Sequence, residues 1–398
     1  MAEAHSESRL MDPIAWVAKV LGWSIRPAGG WDQESTTYAI LPSARRPKLL
    51  VPIAGGLAAG SLRSYNDSMS QAARLRRAAM SGMFRVGMHR FAKLDKVAFT
   101  MTGDGSPTLL EYLESVLHQP VNVSVAMVPV PRPNRKPVLQ LLSSGGRLLA
   151  YAKVGWNDLT RRLVGNEVAA LRTLASADLQ TLSPPNVVHA GWWEGRSILV
   201  TEAAPSPLIR RCRRNAPPPI RVEREVSRSM WAGSEPLGSS RYLSNLDARI
   251  RDIPDDGPDL RERLRSVVDR VRDISVSCAF GAWHGDWAPW NMSRSSSGLV
   301  VWDWERFDGP VPFGFDRAHL HFQVDNMVRR RSVGDAAETA SAALRAVPEI
   351  GARGSATVRA ILQFYLIEQV LRLEEGRLAG EAIRPGVVQA IVDHLEEA

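Results

Sequence analysis

The sequence predicts an α+β fold in three parts: an N-terminal unit over residues 1–119 that mixes helix and strand, a small β-rich unit over 120–204, and a larger, mostly helical one over 205–398. Three observations predict it. Short β-prone runs divided by turn residues fill 121–154, helical periodicity dominates from Leu260 onward, and the first 119 residues mix the two patterns. A chain of 398 residues, 44% apolar and 23% charged, has the length and composition of two or three globular units. No self-similar period points to a solenoid or propeller.

The elements follow in order. Thr36–Pro42 and Lys48–Ile53 are β-prone and joined by the turn-like SARRP, which predicts a hairpin. Ala72–Leu94 places Leu75, Ala79, Met83, Val86, His89 and Phe91 at helical spacing with arginines between them, read as a solvated face in preference to a phosphate-binding stripe. A second helix covers Thr108–His118. Val121–Val128, Val138–Leu142 and Leu148–Val154 form a meander, the last two bracketing a Gly145-Gly146 turn. A helix capped by Asn157 or Asp158 carries Leu163, Glu167, Leu171 and Leu174 on one face. Ser197–Thr201 is a further strand and EAAPSP a linker. The Pro-, Arg- and Ser-rich stretch Pro205–Asp256 reads as loops with a substrate-facing insertion. Helices then run over Leu260–Val276, a segment after Phe315, Ala336–Ala346, Thr357–Gly376 and Gly386–Glu397.

The net charge of +8 invites a nucleic-acid or membrane-surface reading. Of the 50 basic residues, however, only six are lysines and none follows Lys153, an imbalance that a coding bias explains, so neither partner is expected. Cys212 and Cys278 make no disulfide framework and no zinc spacing. The opening MAEAHSESRL lacks the basic and apolar regions of a signal peptide, and the apolar run Leu49–Gly60 is too short to span a bilayer. A cytoplasmic protein is the expectation.

The chemistry concentrates in WHGDWAPWNMSRSSSGLVVWDWE, residues 283–305. Phosphoryl transfer needs a carboxylate that orients an acceptor hydroxyl and takes its proton, and Mg²⁺ takes hard oxygen ligands such as an Asn carbonyl and an Asp carboxylate. Asp286, Asn291 five positions later, and Asp303 after the β-like Leu299–Trp302 supply that set, with the offset of the H-R-D-x-x-x-x-N loop of protein kinases. Upstream, Lys153 lies on the third strand of the meander and Glu167 on the next helix. A Lys held by such a Glu meets the α- and β-phosphates of a nucleotide. A chain that otherwise prefers Arg has here the compact ammonium suited to a point contact.

On HGDWAPWN, the WDWE after it, Lys153 and Glu167, the chain from about Val121 resembles the aminoglycoside phosphotransferase and choline kinase-like family. The resemblance implies a two-lobed protein-kinase-like fold and an ATP- and Mg²⁺-dependent small-molecule kinase, with GTP open beside ATP. It implies Asp286 as catalytic base, Asn291 and Asp303 as Mg²⁺ ligands, Lys153 with Glu167 as phosphate clamp, and a structural His284. The backbone of the linker Glu202–Ala204 would meet adenine. The first 119 residues would rest on the small lobe as a cap, as in some sugar kinases similar to this family.

One departure stands out. The loop expected over the phosphates, PVPRPNRKP, has Pro129, Pro131, Pro133 and Pro137 and no glycine, so it loses backbone donors and leaves side chains near Asn134, Arg135 and Lys136 to meet phosphate. Five of the twelve tryptophans surround the catalytic loop. Most read as core, while Trp287 and Trp290 beside the base are candidates to face a sugar ring or a cation. Glu305 either approaches the acceptor or an ion, or makes a local hydrogen bond, and Asp316 reads as a structural carboxylate. The expected acceptor is a small hydroxylated metabolite, a sugar or aminocyclitol first. The alternatives are an aminoglycoside-type resistance phosphotransferase, for which Glu374, Glu375 and Glu381 are the only acidic cluster in view, transfer of a nucleotidyl group, and a catalytically silent nucleotide-binding module.

Overall fold

The computed structural model describes residues 12–26, 35–65, 71–101, 105–127, 132–203, 210–211, 217–254, 259–295, 298–381 and 383–397. Its contacts divide the chain into two units, Met1–Val168 with Pro185–Pro207, and Ala169–Pro184 with Leu208–Ala398.

The first unit is built on a nine-stranded antiparallel sheet. Its order is Ser24–Arg26, Lys96–Thr100, Ser35–Leu41, Leu49–Pro52, Asn122–Ala126, Val138–Leu142, Leu148–Gly155, Arg196–Glu202 and Val187–Trp193. Because side chains alternate along a strand, both faces can be apolar and both are covered. Tyr38, Ile40, Leu50, Val123, Val125, Leu139, Leu141, Ala150, Ala152 and Val154 point to one face, packed with the helices Pro13–Leu21 and Leu109–Leu117. Ala39, Leu41, Leu49 and Val51 point to the other, under the helix Gly55–Ser64 and Phe84 of the helix Gln71–Arg85. The second of these faces turns polar where Gln140 meets the Ser61 hydroxyl at 2.5 Å and the Tyr151 hydroxyl donates to Ser64 O at 2.9 Å. Lys153 follows two residues later on that same face.

The expected 36–53 hairpin and meander are present, and their register sets Leu41 opposite Leu49 and Val138 opposite Lys153. The boundary drawn at 119 falls inside a single sheet, since Leu49 and Leu50 pair with Ala126 and Val125. Close approach across it requires glycine. A Cβ on Gly60 would lie 1.8 Å from Gly146 O, and one on Gly146, at φ +78°, would lie 2.1 Å from Gly56 O. The hairpin turn therefore sits directly on the helix Gly55–Ser64.

The helix expected over 72–94 is corrected. It ends at Arg85, and Gly87 at φ 78° starts a separate turn over Met88–Phe91. The face assigned as apolar is largely in water, with Leu75 71%, Val86 69% and Phe91 92% exposed, while Ser81 and Phe84 are buried. Leu75 and Ala79 lie on the exposed side of the helix itself, and the break at Gly87 puts Phe91 on a separate turn. Of the strands of this sheet missed in the sequence, Ser24–Arg26 and Val187–Trp193 form its two edges and Lys96–Thr100 lies next to the first.

The second unit is mainly helical, around the long helix Ser355–Leu378, whose residues from Val358 to Leu371 are mostly buried. A three-stranded sheet orders Gly233–Pro236, Ser277–Trp283 and Asp308–Pro312, and a four-stranded one orders Arg210–Arg211, Met292–Ser295, Gly298–Val301 and Leu182–Ser183. The stretch expected as loops holds the helices Ile220–Arg228 and Arg241–Arg251. Tyr242, Leu243, Leu246 and Ile250 join the helical core, so much of it is scaffold. Among the described residues no helix is long and apolar enough to cross a membrane.

Candidate active site

In the first unit, Asn157 caps the helix Asp158–Ala175 by accepting the Thr160 N–H at 2.8 Å. That cap fixes the phase of the helix and aims Glu167 at the sheet. Both carboxylate oxygens of Glu167 take the Lys153 ammonium, at 2.6 and 2.8 Å. Glu167 is buried with 3% of its side chain exposed, whereas Lys153 keeps 17%. The lysine therefore holds a fixed charge that is partly exposed.

The proline-rich loop is pinned rather than loose. Trp156 Nε1 donates to Arg135 O at 2.8 Å and Asn157 Nδ2 to Pro133 O at 3.0 Å. Arg135 is turned away from the phosphate role considered for it. Its guanidinium stacks 3.6 Å from the Trp16 ring centroid, and burial lowers its pKa to about 10. Lys136 is half-buried beside it. Glu202 ends its strand with the carboxylate accepting Asn186 Nδ2 at 2.9 Å, while its own N–H reaches Asn186 O. Ala204, Pro129 and Pro131 lie outside the described residues, as does Cys212.

In the second unit, the strand Ser277–Trp283 delivers the H-G-D loop. His284 is fully buried; its Nδ1 accepts the Asp286 N–H at 3.1 Å, so its Nε2 carries the proton toward Trp302 O, also at 3.1 Å. Burial pushes its pKa down to about 4, keeping the ring neutral. Gly285 has φ +81°, and a Cβ there would lie 2.1 Å from Arg306 O, so only glycine fits. Asp316, at the start of the helix Phe315–Gln323, accepts the N–H of His284 at 2.9 Å and of Gly285 at 3.3 Å. Arg372 donates to Gly285 O and lies 4.2 Å over the Trp283 ring. The loop is thus held from both sides of its backbone.

This leaves Asp286 presented. Asn291 Nδ2 donates to its Oδ2 at 2.7 Å and His319 Nε2 to its Oδ1 at 3.1 Å, while 34% of the side chain stays exposed. Burial pushes its pKa up, but the hydrogen bond from His319 outweighs it and holds the carboxyl below its ordinary range. The group is ionised and open on one side, as a base must be.

Asn291 and Asp303 flank a hairpin. Met292 pairs with Val301, and Trp302 N donates to Asn291 O at 3.0 Å, which brings Asn291 and Asp303 to the same end of this strand pair. Asn291 spends its N–H side on Asp286, which leaves its carbonyl oxygen as the atom for a cation. Asp303 has φ 69°, a conformation rare outside glycine, set just before the turn Trp304–Arg306 that carries Glu305. An amide and a carboxylate oxygen are the donor chemistry Mg²⁺ takes. Asp303 and Glu305 are both half-buried.

The chain is similar in fold to solved small-molecule kinases. A thermostable mutant of an aminoglycoside phosphotransferase is 16% identical, with 73% of this chain and 98% of that one covered at a TM-score of 0.47. A putative fructosamine-3-kinase of Haemophilus somnus is 10% identical over 72% and 96%, at 0.43. The choline kinase of Streptococcus pneumoniae is 14% identical over 66% and 90%, at 0.41. No protein-family model matches the chain, and no curated protein does. Identities and scores this low leave the chemistry to the residues of the site.

Of the two tryptophans near Asp286, Trp287 is fully buried, packed edge-on against His284, and Trp290 is partly exposed. Three residues that sequence reasoning did not single out also shape the site. They are His319, Arg372 and Tyr365, whose hydroxyl lies 3.3 Å from His319 Nδ1. Only His319 left a trace, standing one helical turn after Asp316 in GFDRAHL.

Proposed function

We propose that the protein is a small-molecule kinase that transfers the γ-phosphoryl group of ATP to a hydroxyl of a sugar, aminocyclitol or related metabolite. The observation that carries this reading is Asp286, an ionised carboxylate tethered through both oxygens yet a third exposed. Asp286 accepts the proton of the acceptor hydroxyl as its oxygen bonds to the γ-phosphorus, the bridging P–O bond breaks, and the nucleoside diphosphate leaves with the electron pair. Lys153, immobilised by Glu167, meets the α- and β-phosphates. Asn291 and Asp303 would hold Mg²⁺, which neutralises charge on the donor phosphates.

The acceptor class follows from charge. In the acidic cluster near the C-terminus, Glu374 pairs with Arg377 at 2.6 Å and Glu375 with Arg306 at 3.5 Å. Carboxylates already matched by guanidinium groups do not build the acidic surface a polycationic antibiotic needs, which favours a neutral hydroxylated acceptor. Trp290 offers the exposed aromatic surface for it.

The test is ATP turnover with Mg²⁺ across sugars, aminocyclitols and aminoglycosides, with mass spectrometry of the product. A product heavier by one phosphoryl group that disappears in Asp286→Asn supports the reading. Nucleotide binding with no turnover on any acceptor would return the catalytically silent module, and a nucleotidylated product would replace phosphoryl transfer.

A further inference from the structure

A buried histidine is aimed at Asp286 from another element. His319 lies on the helix Phe315–Gln323 with 3% exposure, between Trp283, Tyr365 and the base. Its Nε2 is 3.1 Å from Asp286 Oδ1, and its Nδ1 is 3.3 Å from the hydroxyl of Tyr365 on the helix Ser355–Leu378. An ionised carboxylate only accepts, so Nε2 must carry a proton. A hydroxyl can either donate or accept, so Tyr365 is free to give its proton to Nδ1. A ring buried among aromatic neighbours favours the neutral form, which has one proton to place.

We propose that His319 is a positioning residue for the phosphoryl-transfer base, with Tyr365 selecting the Nε2–H tautomer that lets it hold Asp286. The inference rests on Asp286 being the base. Asn291 fixes Oδ2 and His319 fixes Oδ1, so the plane of the carboxylate is set by two donors on different elements before an acceptor arrives. With one donor the carboxylate can rotate about its Cβ–Cγ bond, and the lone pair meant for the acceptor hydroxyl no longer has a fixed direction. Misalignment of a reacting group by a fraction of an ångström reduces rate far more than binding. In the opposite tautomer, a bare Nε2 lone pair would face the carboxylate and repel it, which is why the tyrosine hydroxyl matters at one remove.

The experiment combines kinetics with a measurement independent of turnover. His319→Leu is expected to lower kcat about ten- to a hundred-fold with little change in KM for nucleotide or acceptor. His319→Gln, whose amide N–H₂ can reach the same oxygen, is expected to recover most of it. Tyr365→Phe removes one oxygen from a filled site and is expected to lower kcat several-fold, which keeps the test open if the leucine variant does not fold. The long-range ¹H–¹⁵N imidazole spectrum of the full chain, assigned by loss of a signal in His319→Gln, is expected to show a protonated Nε2 and an unprotonated Nδ1 at neutral pH. An imidazolium or an Nδ1–H ring would overturn the proposal. Equal kcat in the leucine, glutamine and native proteins would overturn it too, while loss of turnover in Asp286→Asn leaves the base in place. If no acceptor is ever phosphorylated, the function fails instead, and the imidazole spectrum still decides the tautomer.

Discussion

Asp316 grips the backbone of His284, accepting its N–H through both carboxylate oxygens at 2.9 and 3.1 Å from 32 positions away. With the Gly285 N–H added, one buried side chain satisfies two consecutive donors in a loop that has no strand partner there. Its burial raises its pKa to about 7, yet those donors reward the ionised form.

Asp316→Ala is therefore expected to cost more than its volume suggests. Two buried N–H groups lose their acceptor, at roughly 1–3 kcal/mol each. Chemical denaturation should show a loss of that order, with kcat falling because the loop bearing Asp286 loosens, while Asp316→Asn, which keeps one acceptor oxygen, should lose less of both.

The clamp between Lys153 and Glu167 separates stability from function. Lys153→Met leaves a carboxylate with 3% exposure and no ammonium, a situation that costs about 3–5 kcal/mol in buried pairs. The double variant Lys153→Met, Glu167→Leu is expected to regain stability and not nucleotide binding. Thermal melts with and without ATP and Mg²⁺ would show it: the native melting temperature is expected to rise with ligand and that of the double variant to stay still.

Acid sensitivity is expected from His284. Its folded pKa, near 4, lies below the value of about 6.5 it takes on unfolding, so between these the unfolded chain binds more protons and stability rises with pH. The contribution is complete above about pH 6.5 and is lost as pH falls toward 4, at about 1.4 kcal/mol per pH unit at most. Urea midpoints measured from pH 4 to pH 7 should fall more steeply for the native protein than for His284→Gln, and parallel curves would assign the acid lability elsewhere.

Gly60→Ala is expected to be destabilising, although alanine suits a helix. Its methyl group would lie 1.8 Å from Gly146 O, backbone that cannot swing aside, and overpacking of this kind costs about 1–3 kcal/mol. A lowered urea midpoint is the readout, with Gly82→Ala, where a Cβ meets nothing within 4 Å, as the control.

What could be read from the sequence was local. The meander announced itself through alternation and the Gly145-Gly146 turn, and Lys153 and Glu167, which the structure joins, are only 14 positions apart on consecutive elements. Asp286, Asn291 and Asp303 stood in one short segment. His319, Tyr365 and Arg372 escaped because their contacts span 33, 46 and 87 positions, distances at which periodicity carries no information. The edge strand Ser24–Arg26 was hidden for another reason: its three residues are all exposed, so it has no apolar side to betray it.

The pairing of Leu49 and Leu50 with Ala126 and Val125 sets a limit on how this protein can be dissected. A chain shortened to begin near Val121 would turn the strand Asn122–Ala126 from an interior member of the sheet into an open rim. That rim would carry unpaired backbone donors and acceptors beside Val123 and Val125, side chains that the full chain keeps buried. Such a rim recruits other copies of itself. The first 119 residues thus act as insulation: whatever else they contribute, they keep the rest of the sheet from becoming a template for its own aggregation.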